Sequence, residues 1–310
     1  MASNPRQSKK KVYFCFVNLK WFEANNIMVN NRLRFMGMAC ALAAALLGGL
    51  LTGCNNQTEA PATVAGFTSL EDLEGHSVAV INGSTSDVLL SDTNNFAHIR
   101  LVRCKTPTEL FAAISDSVAD CGIIDTVVLT TLGMAEHGLA VDFNLPGGFD
   151  VAVAFNPRDE KLCQQFNDFL VQIKSDGTLD EMFGRWCSQR LDTVTMPTMD
   201  ALADLKGHPI EVATLADNAP FSFYKENVWT GLEVEMMLRF SIFAGRPVHF
   251  SGYNFDEVID VLRSRGADAA AASLFITPER SDRVLFSHPY YLCKTSCISP
   301  CVEGKNVWSF

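Results

Sequence analysis

The chain has 310 residues, of which 48% are hydrophobic and 19% are charged, and its formal net charge is −10. This composition supports a core large enough for one big domain or two lobes, and it excludes a disordered chain. The acidic balance argues against nucleic acid as a partner, because binding to phosphates requires clustered Lys and Arg side chains.

A leader precedes the globular part of the chain. Residues 35–51 form an almost uncharged apolar run that follows two arginines and leads into Leu-Thr-Gly-Cys at 51–54. This pattern predicts a signal peptide, and a transmembrane anchor is the alternative, although the run is short for a bilayer. Without residues 1–53 the chain keeps 18 basic and 34 acidic residues, a balance of −16.

The first half of the globular part alternates strands and helices. An apolar run at 77–81 predicts a buried strand, and the sequence Thr-Pro-Thr-Glu at 106–109 predicts the capped start of a helix. A second buried strand is predicted at 121–124, directly after an Ala-Asp pair.

The second half repeats this plan. Strands are predicted at 210–214 and 269–275, and between them lies a helix at 256–265 that we expect to end at a C-cap on Gly266. Continuous apolar strands that alternate with helices predict an α/β fold of two lobes, with mostly parallel sheets flanked by helices.

Ligands of open α/β sheets bind at the carboxyl ends of the strands, so polar residues directly after strands are candidates. Ser84 and Thr85 follow the first strand, where they either offer backbone N–H groups to an anion or cap a helix. Asp125 follows the second strand and either binds an ammonium group or caps the helix that starts at Thr126.

Two further candidates come from the second half. Arg280 lies in the first turn of a helix opened by Thr277 and Pro278, where the helix dipole disfavours a cation. A guanidinium at that position indicates a carboxylate clamp, because its fork matches both carboxylate oxygens. Phe221 follows the strand at 210–214, and it either walls a ligand cleft or belongs to the core.

Seven cysteines follow Cys54. They are Cys104, Cys121, Cys163, Cys187, Cys293, Cys297 and Cys301. Export permits disulfides, and the first four could form two pairs within neighbouring elements, 104 with 121 and 163 with 187. The last three are spaced Cys-x3-Cys-x3-Cys, which lacks the usual Cys-x2-Cys knuckle and a nearby histidine. We therefore expect neither a metal nor a cofactor.

Several motifs are typical of one family. The first group comprises Ala-Pro-Phe-Ser-Phe at 219–223, Gly-Leu-Glu-Val-Glu at 231–235, Ile-Thr-Pro-Glu-Arg at 276–280 and Phe-Ser-His-Pro-Tyr-Tyr at 286–291. The second comprises Leu-Glu-Gly at 73–75, Gly-Ser-Thr at 83–85, Ala-Asp at 119–120 and Arg-Trp at 185–186. With these motifs, the chain from residue 67 onward resembles the amino-acid type of extracytoplasmic solute-binding protein, the receptor of ABC importers. The resemblance implies the type 2 periplasmic-binding-protein fold of bacterial family 3.

The resemblance also implies roles for the candidate residues. The predicted ligand-binding residues are Arg280, Asp125, Ser273, Thr85, Ser84, Phe221 and Phe255. By resemblance the arginine holds the α-carboxylate of the ligand, the aspartate takes its α-amino group, hydroxyl groups add hydrogen bonds and the two phenylalanines line the cleft. Two departures from the family pattern are Phe275, where a hydroxyl residue is usual, and Leu215, where an acidic or polar residue is common.

The order of the lobes is reversed relative to this family. We predict the following segments: a signal peptide and upstream extension at 1–53, a lipidated cysteine and tether at 54–66, lobe 2 at 67–157, closing helices that pack on lobe 1 at 158–190, a linker at 191–204, lobe 1 at 205–292, and a crossover strand with a tail at 293–310. One interpretation is a circular permutation with a single composite cleft. The other is a slice of a tandem receptor.

The Leu-Thr-Gly-Cys motif resembles the lipobox of bacterial lipoproteins, which implies cleavage before Cys54 and acylation of that residue. We therefore expect a lipid-anchored protein on the extracytoplasmic side of the cell envelope. It would capture an amino acid or a similar small carboxylate by hinge closure and present it to an ABC permease. The alternatives are a periplasmic dehydratase-like enzyme on the same fold, a ligand-sensing module and a truncated tandem receptor.

Overall fold

The computed structural model describes residues 66–188 and 191–301 of the chain. The predicted signal peptide, Cys54, all of the tether before residue 66 and the tail after residue 301 lie outside the described residues. Within the described part, two β-sheets flanked by helices form two lobes, which confirms the predicted α/β class.

The strands and helices alternate along most of the chain. The strands are β1 (Ser77–Ile81), β2 (Arg100–Cys104), β3 (Cys121–Asp125), β4 (Leu139–Asn144), β5 (Phe149–Phe155), β6 (Ile210–Thr214), β7 (Asp217–Asn218), β8 (Ser222–Lys225), β9 (Val228–Thr230), β10 (Val248–Gly252), β11 (Ala269–Phe275), β12 (Leu285–Phe286), β13 (Tyr291–Cys293) and β14 (Thr295–Pro300). The helices are α1 (Thr85–Leu90), α2 (Pro107–Ser115), α3 (Thr126–Thr131), α4 (Glu160–Ser175), α5 (Thr178–Cys187), α6 (Leu232–Ala244), α7 (Val258–Arg263) and α8 (Pro278–Ser281). Short 3-10 turns lie at Glu71–Leu73, Met134–His137, Asp200–Asp204 and Phe255–Glu257. In this part of the chain no helix has both the length and the apolar character needed to cross a membrane.

Each of the two large sheets has a parallel centre and at least one strand that runs the other way, whereas a third, small sheet, β7-β8-β9, is antiparallel throughout. The first sheet has the order β2-β1-β3-β14-β4, in which β1 pairs in parallel with β2 and β3 while β14 is antiparallel to both of its neighbours. The second has the order β10-β6-β11-β5-β12, with β13 also paired to β5. In it β6 pairs in parallel with β10 and β11, whereas β5 is antiparallel to β11.

The chain crosses between the sheets twice, once from β4 to β5 and once from β13 to β14. Lobe 2 therefore comprises residues 66–145 and 294–301, and lobe 1 comprises residues 149–293. The predicted boundary of lobe 2 at residue 157 is wrong, because β5 pairs with β11 of lobe 1. Residues 151–155 are all buried, and a strand covered on both faces has the same apolar sequence in either sheet.

The repeated Ala-Asp pair has the same structural role in both lobes. In lobe 2 the Asp120 carboxylate accepts a hydrogen bond from the backbone N–H of Ser77 at 2.8 Å. In lobe 1 the Asp268 carboxylate accepts one from the backbone N–H of Glu211 at 3.0 Å. Each aspartate thus fixes the loop after a helix to the start of a parallel strand, which is β1 in lobe 2 and β6 in lobe 1.

The helix predicted at 256–265 differs from the prediction at both ends. Its first turn, Phe255–Glu257, is a 3-10 turn closed by a capping box between Asn254 and Glu257. At the other end, Arg265 takes the left-handed conformation with φ 64°, so the prediction that Gly266 is the C-cap is wrong. The backbone N–H of Gly266 instead donates to the carbonyl of Val261 at 2.9 Å.

The closing helices α4 and α5 pack against α6 of lobe 1. Trp186 of α5 is fully buried, and its indole N–H donates to Glu235 at 2.7 Å. Arg185 and Arg239 also donate to this carboxylate, each at 2.8 Å. Because Glu235 has no solvent exposure, these donors stabilise its charge, and the bonds from Arg185 and Trp186 hold α5 onto α6.

Neither predicted disulfide forms, because Cys104, Cys121, Cys163 and Cys187 are free thiols. The first two lie on strands separated by β1, in register with Ile81 and Val78 respectively. Two strands that flank a third lie about 10 Å apart, which exceeds the Cα separation of a disulfide. The Cys163 thiol donates to the carbonyl of Phe286 at 3.5 Å.

We expect Glu235→Ala to lower the free energy of unfolding by about 3 kcal/mol, because it leaves two guanidinium groups and an indole N–H without their buried acceptor. Urea denaturation monitored by tryptophan fluorescence measures this change. The control is Glu181→Ala on the exposed face of α5, which should change stability by less than about 0.5 kcal/mol. Equal effects of the two substitutions would contradict the anchoring role of Glu235.

Candidate functional site

A cavity of about 170 Å³ lies between the two lobes, at the carboxyl ends of β1, β3, β6 and β11. Its polar, charged and aromatic lining includes Ser84, Thr85, Lys105, Asp125, Asp217, Asn218, Phe255, Ser273, Phe275 and Arg280. Six of the seven predicted ligand-binding residues therefore line one cavity, although they come from both lobes. The exception is Phe221.

Arg280 enters the cavity from the short helix α8. Thr277 caps this helix by accepting a hydrogen bond from the backbone N–H of Arg280 at 3.3 Å. The guanidinium donates to the carbonyl of Phe275 at 3.0 Å and, across the cleft, to the carbonyl of Gly83 at 3.2 Å. It also lies 5.3 Å from the centre of the Phe255 ring, a cation–π distance. Burial lowers the pKa of Arg280 to about 10, against the attraction of Asp125.

Asp125 faces Arg280 from lobe 2, at the end of β3. It occupies the N-cap position of α3, but its side chain makes no capping hydrogen bond. Burial raises the pKa of Asp125 to about 7, while a hydrogen bond with the Cys293 thiol and the charge of Arg280 act in the opposite direction. A capping hydrogen bond therefore does not explain this residue, which lines the cavity.

Ser273 is presented to the cavity by an irregular backbone. It has φ 47°, a left-handed conformation that costs a non-glycine residue about 1–3 kcal/mol. The pairing register of β11 with β5 shifts between Ala270 and Leu274, so Ser273 lies within a bulge. Its hydroxyl accepts a hydrogen bond from Asn218 at 2.9 Å, and its backbone N–H donates to both oxygens of Glu233 at 2.9 and 3.0 Å.

Ser84 and Thr85 line the cavity just after the carboxyl end of β1. Ser84 caps α1, because its hydroxyl accepts a hydrogen bond from the backbone N–H of Asp87 at 3.1 Å. Gly83 just before it has φ +74°, and a Cβ atom there would lie 3.1 Å from the Cβ of Asp256 in the other lobe. Glycine at this position therefore allows the two lobes to approach closely.

The two predicted phenylalanines have different positions. Phe255 lines the cavity beside Arg280. Phe221 is completely buried in the core of lobe 1, with its ring 6.4 Å from that of Tyr291, so the prediction that it lines the cleft is wrong. A Cβ atom on Gly231 would clash with the carbonyl of Phe221, so the start of α6 packs directly on this residue.

No group of three or more His, Cys, Asp or Glu side chains within residues 66–188 and 191–301 is arranged to hold a metal ion. Two members of the spaced cysteine motif, Cys293 and Cys297, lie buried on β13 and β14. Burial raises the pKa of the Cys293 thiol, which disfavours the thiolate that a metal would bind.

Sequence reasoning missed several residues of the site. Asp217 and Asn218 line the cavity just after β6. Like Asp125, they are polar residues that follow a strand, so the same reasoning would have predicted them as candidates. Glu233 belongs to the Gly-Leu-Glu-Val-Glu motif at 231–235, but it contacts Ser273, which is 40 positions away. No local sequence pattern predicts such a contact. The walls include Ile124, Val128 and Leu215, so much of the lining is apolar.

Comparisons with known proteins agree with this architecture over part of the chain. Residues 210–302 match the sequence model of the bacterial extracellular solute-binding proteins, family 3. A putative ABC transporter arginine-binding protein 2 from Escherichia coli is 34% identical over 29% of this chain and 38% of its own length. A membrane-bound lytic murein transglycosylase F from Alcanivorax borkumensis is 28% identical over 39% of this chain and 27% of its own length.

Among solved structures, an ancestral arginine-binding protein bound to glutamine is 32% identical over 28% of this chain and 39% of that chain, with a TM-score of 0.27. The chain thus spans between 27% and 38% of the length of the curated relatives it matches. Over residues 210–302, the chain is therefore similar to the bacterial extracellular solute-binding proteins, family 3.

Proposed function

We propose that this chain captures an α-amino acid or a similar small carboxylate in the cavity between its lobes. The observation that carries this proposal is the pair Arg280 and Asp125, which bring opposite charges from different lobes to one largely apolar cavity. An α-amino acid presents a carboxylate and an ammonium group to complement this pair. The Ser273 and Thr85 hydroxyls supply further hydrogen bonds, and Phe255 supplies an aromatic wall.

Capture would proceed by hinge closure around the two crossovers, at residues 145–149 and 293–295. The contacts between the lobes include two exposed hydrogen bonds, in which Asn82 donates to Asp256 at 2.7 Å and Thr108 donates to Asp217 at 3.1 Å. They also include an apolar contact, because Val127 and Leu132 of lobe 2 pack against the core of lobe 1. Exposed hydrogen bonds have small net energies, so these two oppose separation of the lobes only weakly. A ligand that contacts both lobes favours the closed form by its differential affinity.

The protein would act at the cell envelope as a receptor for an ABC permease. This part of the proposal is supported by the family match and by a relative described as a putative ABC transporter arginine-binding protein. We propose that acylated Cys54 anchors the protein on the extracytoplasmic side and that the segment after it acts as a tether. We favour binding over catalysis, since the cavity offers charges that complement both ends of an amino acid.

We expect the purified protein without residues 1–53 to be stabilised by an α-amino acid in a thermal-shift panel of amino acids, short peptides and carboxylates. A ligand at 100 times its Kd adds about 2.7 kcal/mol to the free energy of unfolding, because it binds only the folded state. Arg280→Ala should abolish this shift. Arg283→Ala is the matched control, since Arg283 lies nearby but pairs with Asp260.

Three results would contradict parts of this proposal. A cooperatively folded protein that no compound stabilises would refute the receptor function. A full thermal shift in Arg280→Ala would refute the carboxylate clamp. Consumption of a prephenate-like acid by the wild-type protein would favour the dehydratase-like alternative.

We expect Asp125→Asn to abolish amino-acid binding and yet to stabilise the unliganded protein at pH 8, by about 1–2 kcal/mol. The folded-state pKa of Asp125 is raised from 3.8 to about 7, so folding binds a proton between these values. The Asp125 contribution to stability is present below pH 4 and is lost as the pH rises through 7. Asp125→Asn should therefore change the free energy of unfolding little at pH 4, and its stabilising effect should increase up to pH 8.

Urea denaturation at a series of pH values measures this difference between the wild type and Asp125→Asn. Asp116→Asn, at an exposed position after α2, is the control and should leave the pH profile unchanged. A constant difference across the pH range would contradict the assigned titration of Asp125. Retained ligand binding in Asp125→Asn would contradict its role in holding the ammonium group.

We expect the full chain, produced in a bacterium, to incorporate radioactive palmitate and to sediment with membranes. Cys54→Ser should abolish the label, because acylation requires the thiol of that residue. Cys40→Ser, within the predicted signal peptide, should leave the labelling unchanged. Labelling of the Cys54→Ser protein would contradict the proposed anchor.

A further inference from the structure

Glu233 is a buried carboxylate that the ligand-binding proposal leaves unexplained. It is the second residue of α6 and has no solvent exposure. Its oxygens accept two hydrogen bonds from the backbone N–H of Ser273, and one of them accepts a third from the Tyr290 hydroxyl at 2.7 Å. All of these donors are neutral, whereas the carboxylate of Glu235 on the same helix accepts from two guanidinium groups.

One partner of Glu233 determines the geometry of the cavity lining. The backbone of Ser273 is left-handed and lies in the bulge of β11, so its N–H is turned away from the regular strand pairing. The carboxylate takes up this N–H with both oxygens and compensates for the strained conformation. The bulge places Ser273 and, two residues later, Phe275 against the cavity, where Phe275 also accepts a hydrogen bond from Arg280.

The other partner belongs to the segment that leads back to lobe 2. The backbone N–H of Tyr290 donates to Val151 of β5 at 2.9 Å, and β13 begins at the next residue. Cys293 ends β13, and the chain then crosses to β14. A single carboxylate therefore joins the bulge that lines the cavity to the segment that precedes β13 and the second crossover.

We propose that Glu233 is a positioning residue for ligand binding, which holds Ser273 in its cavity-lining conformation and ties it to Tyr290. This inference rests on the proposed function for its effect on affinity. The expected effect of Glu233 on the backbone of Ser273 is independent of the proposed function. Because Glu233 itself has no exposed surface, it acts on a ligand only through the groups it holds.

The test compares Glu233→Gln with Glu235→Gln in the protein without residues 1–53. Both carboxylates are fully buried on α6, so both substitutions should destabilise the fold. Isothermal titration with the amino acid that stabilises the wild type most should show a loss of affinity of about tenfold or more for Glu233→Gln. Glu235→Gln should keep its affinity within about twofold, because its partners lie on the closing helices.

A second measurement needs no ligand. Amide hydrogen exchange at Ser273, followed by NMR, should accelerate in Glu233→Gln and remain unchanged in Glu235→Gln. If the wild type binds nothing on the panel, the receptor function fails, and this exchange rate alone decides the role of Glu233. Unchanged exchange at Ser273, or equal losses of affinity in the two variants, would overturn the proposal.

If Glu233→Gln does not fold, Tyr290→Phe replaces it, since that variant keeps the carboxylate and removes one of its partners. Weaker ligand binding together with faster exchange at Ser273 in Tyr290→Phe would support the proposal. Wild-type values for both quantities would overturn it.

Discussion

The antiparallel pairing of β5 with β11 is the contact on which most of the molecule depends. Strand β5 arrives from lobe 2, and its residues 151–155 are completely buried. It also pairs with β12 and β13, and it leads directly into the closing helices α4 and α5. The register of β11 against β5 shifts at the bulge that carries Ser273. Strand β5 thus joins the sheet of lobe 1 and leads into the helices that cover this sheet. It also lies next to the bulge of β11 that lines the cavity.

Helix α6 uses two buried carboxylates for two different purposes. Residues at i and i+2 lie about 200° apart around a helix, so Glu233 and Glu235 face nearly opposite sides. Glu235 is neutralised by two arginines and holds the closing helices. Glu233 is satisfied by neutral donors, and burial raises its pKa to about 7. A charged carboxylate without a cationic partner is costly in the interior. The hydrogen bonds from the backbone N–H of Ser273 offset part of this cost and fix the bulge.

The features that could be predicted from the sequence are those with local causes. Strands such as β1 and β11 follow from continuous apolar runs, and the cap of α8 follows from Thr277 and Pro278. Asp125 and Arg280 could be selected because each follows the end of a strand. The sheet to which β5 belongs could not be predicted, because a strand buried on both faces carries no mark of its partner. The burial of Phe221 and the contact of Glu233 depend on elements distant in sequence and needed the structure.

The charges of the cavity are held at a cost that a ligand can offset. Burial favours the neutral forms of both Asp125 and Arg280, and their mutual attraction compensates only in part, since the pKa of one stays raised and that of the other stays lowered. A zwitterion would supply each group with an opposite charge at close range, and the surrounding apolar walls strengthen such contacts because they exclude water. The same burial that destabilises these two charges would therefore increase the free energy gained when such a ligand binds. In the proposed function, a ligand that contacts both lobes would use this gain to favour the closed form by its differential affinity.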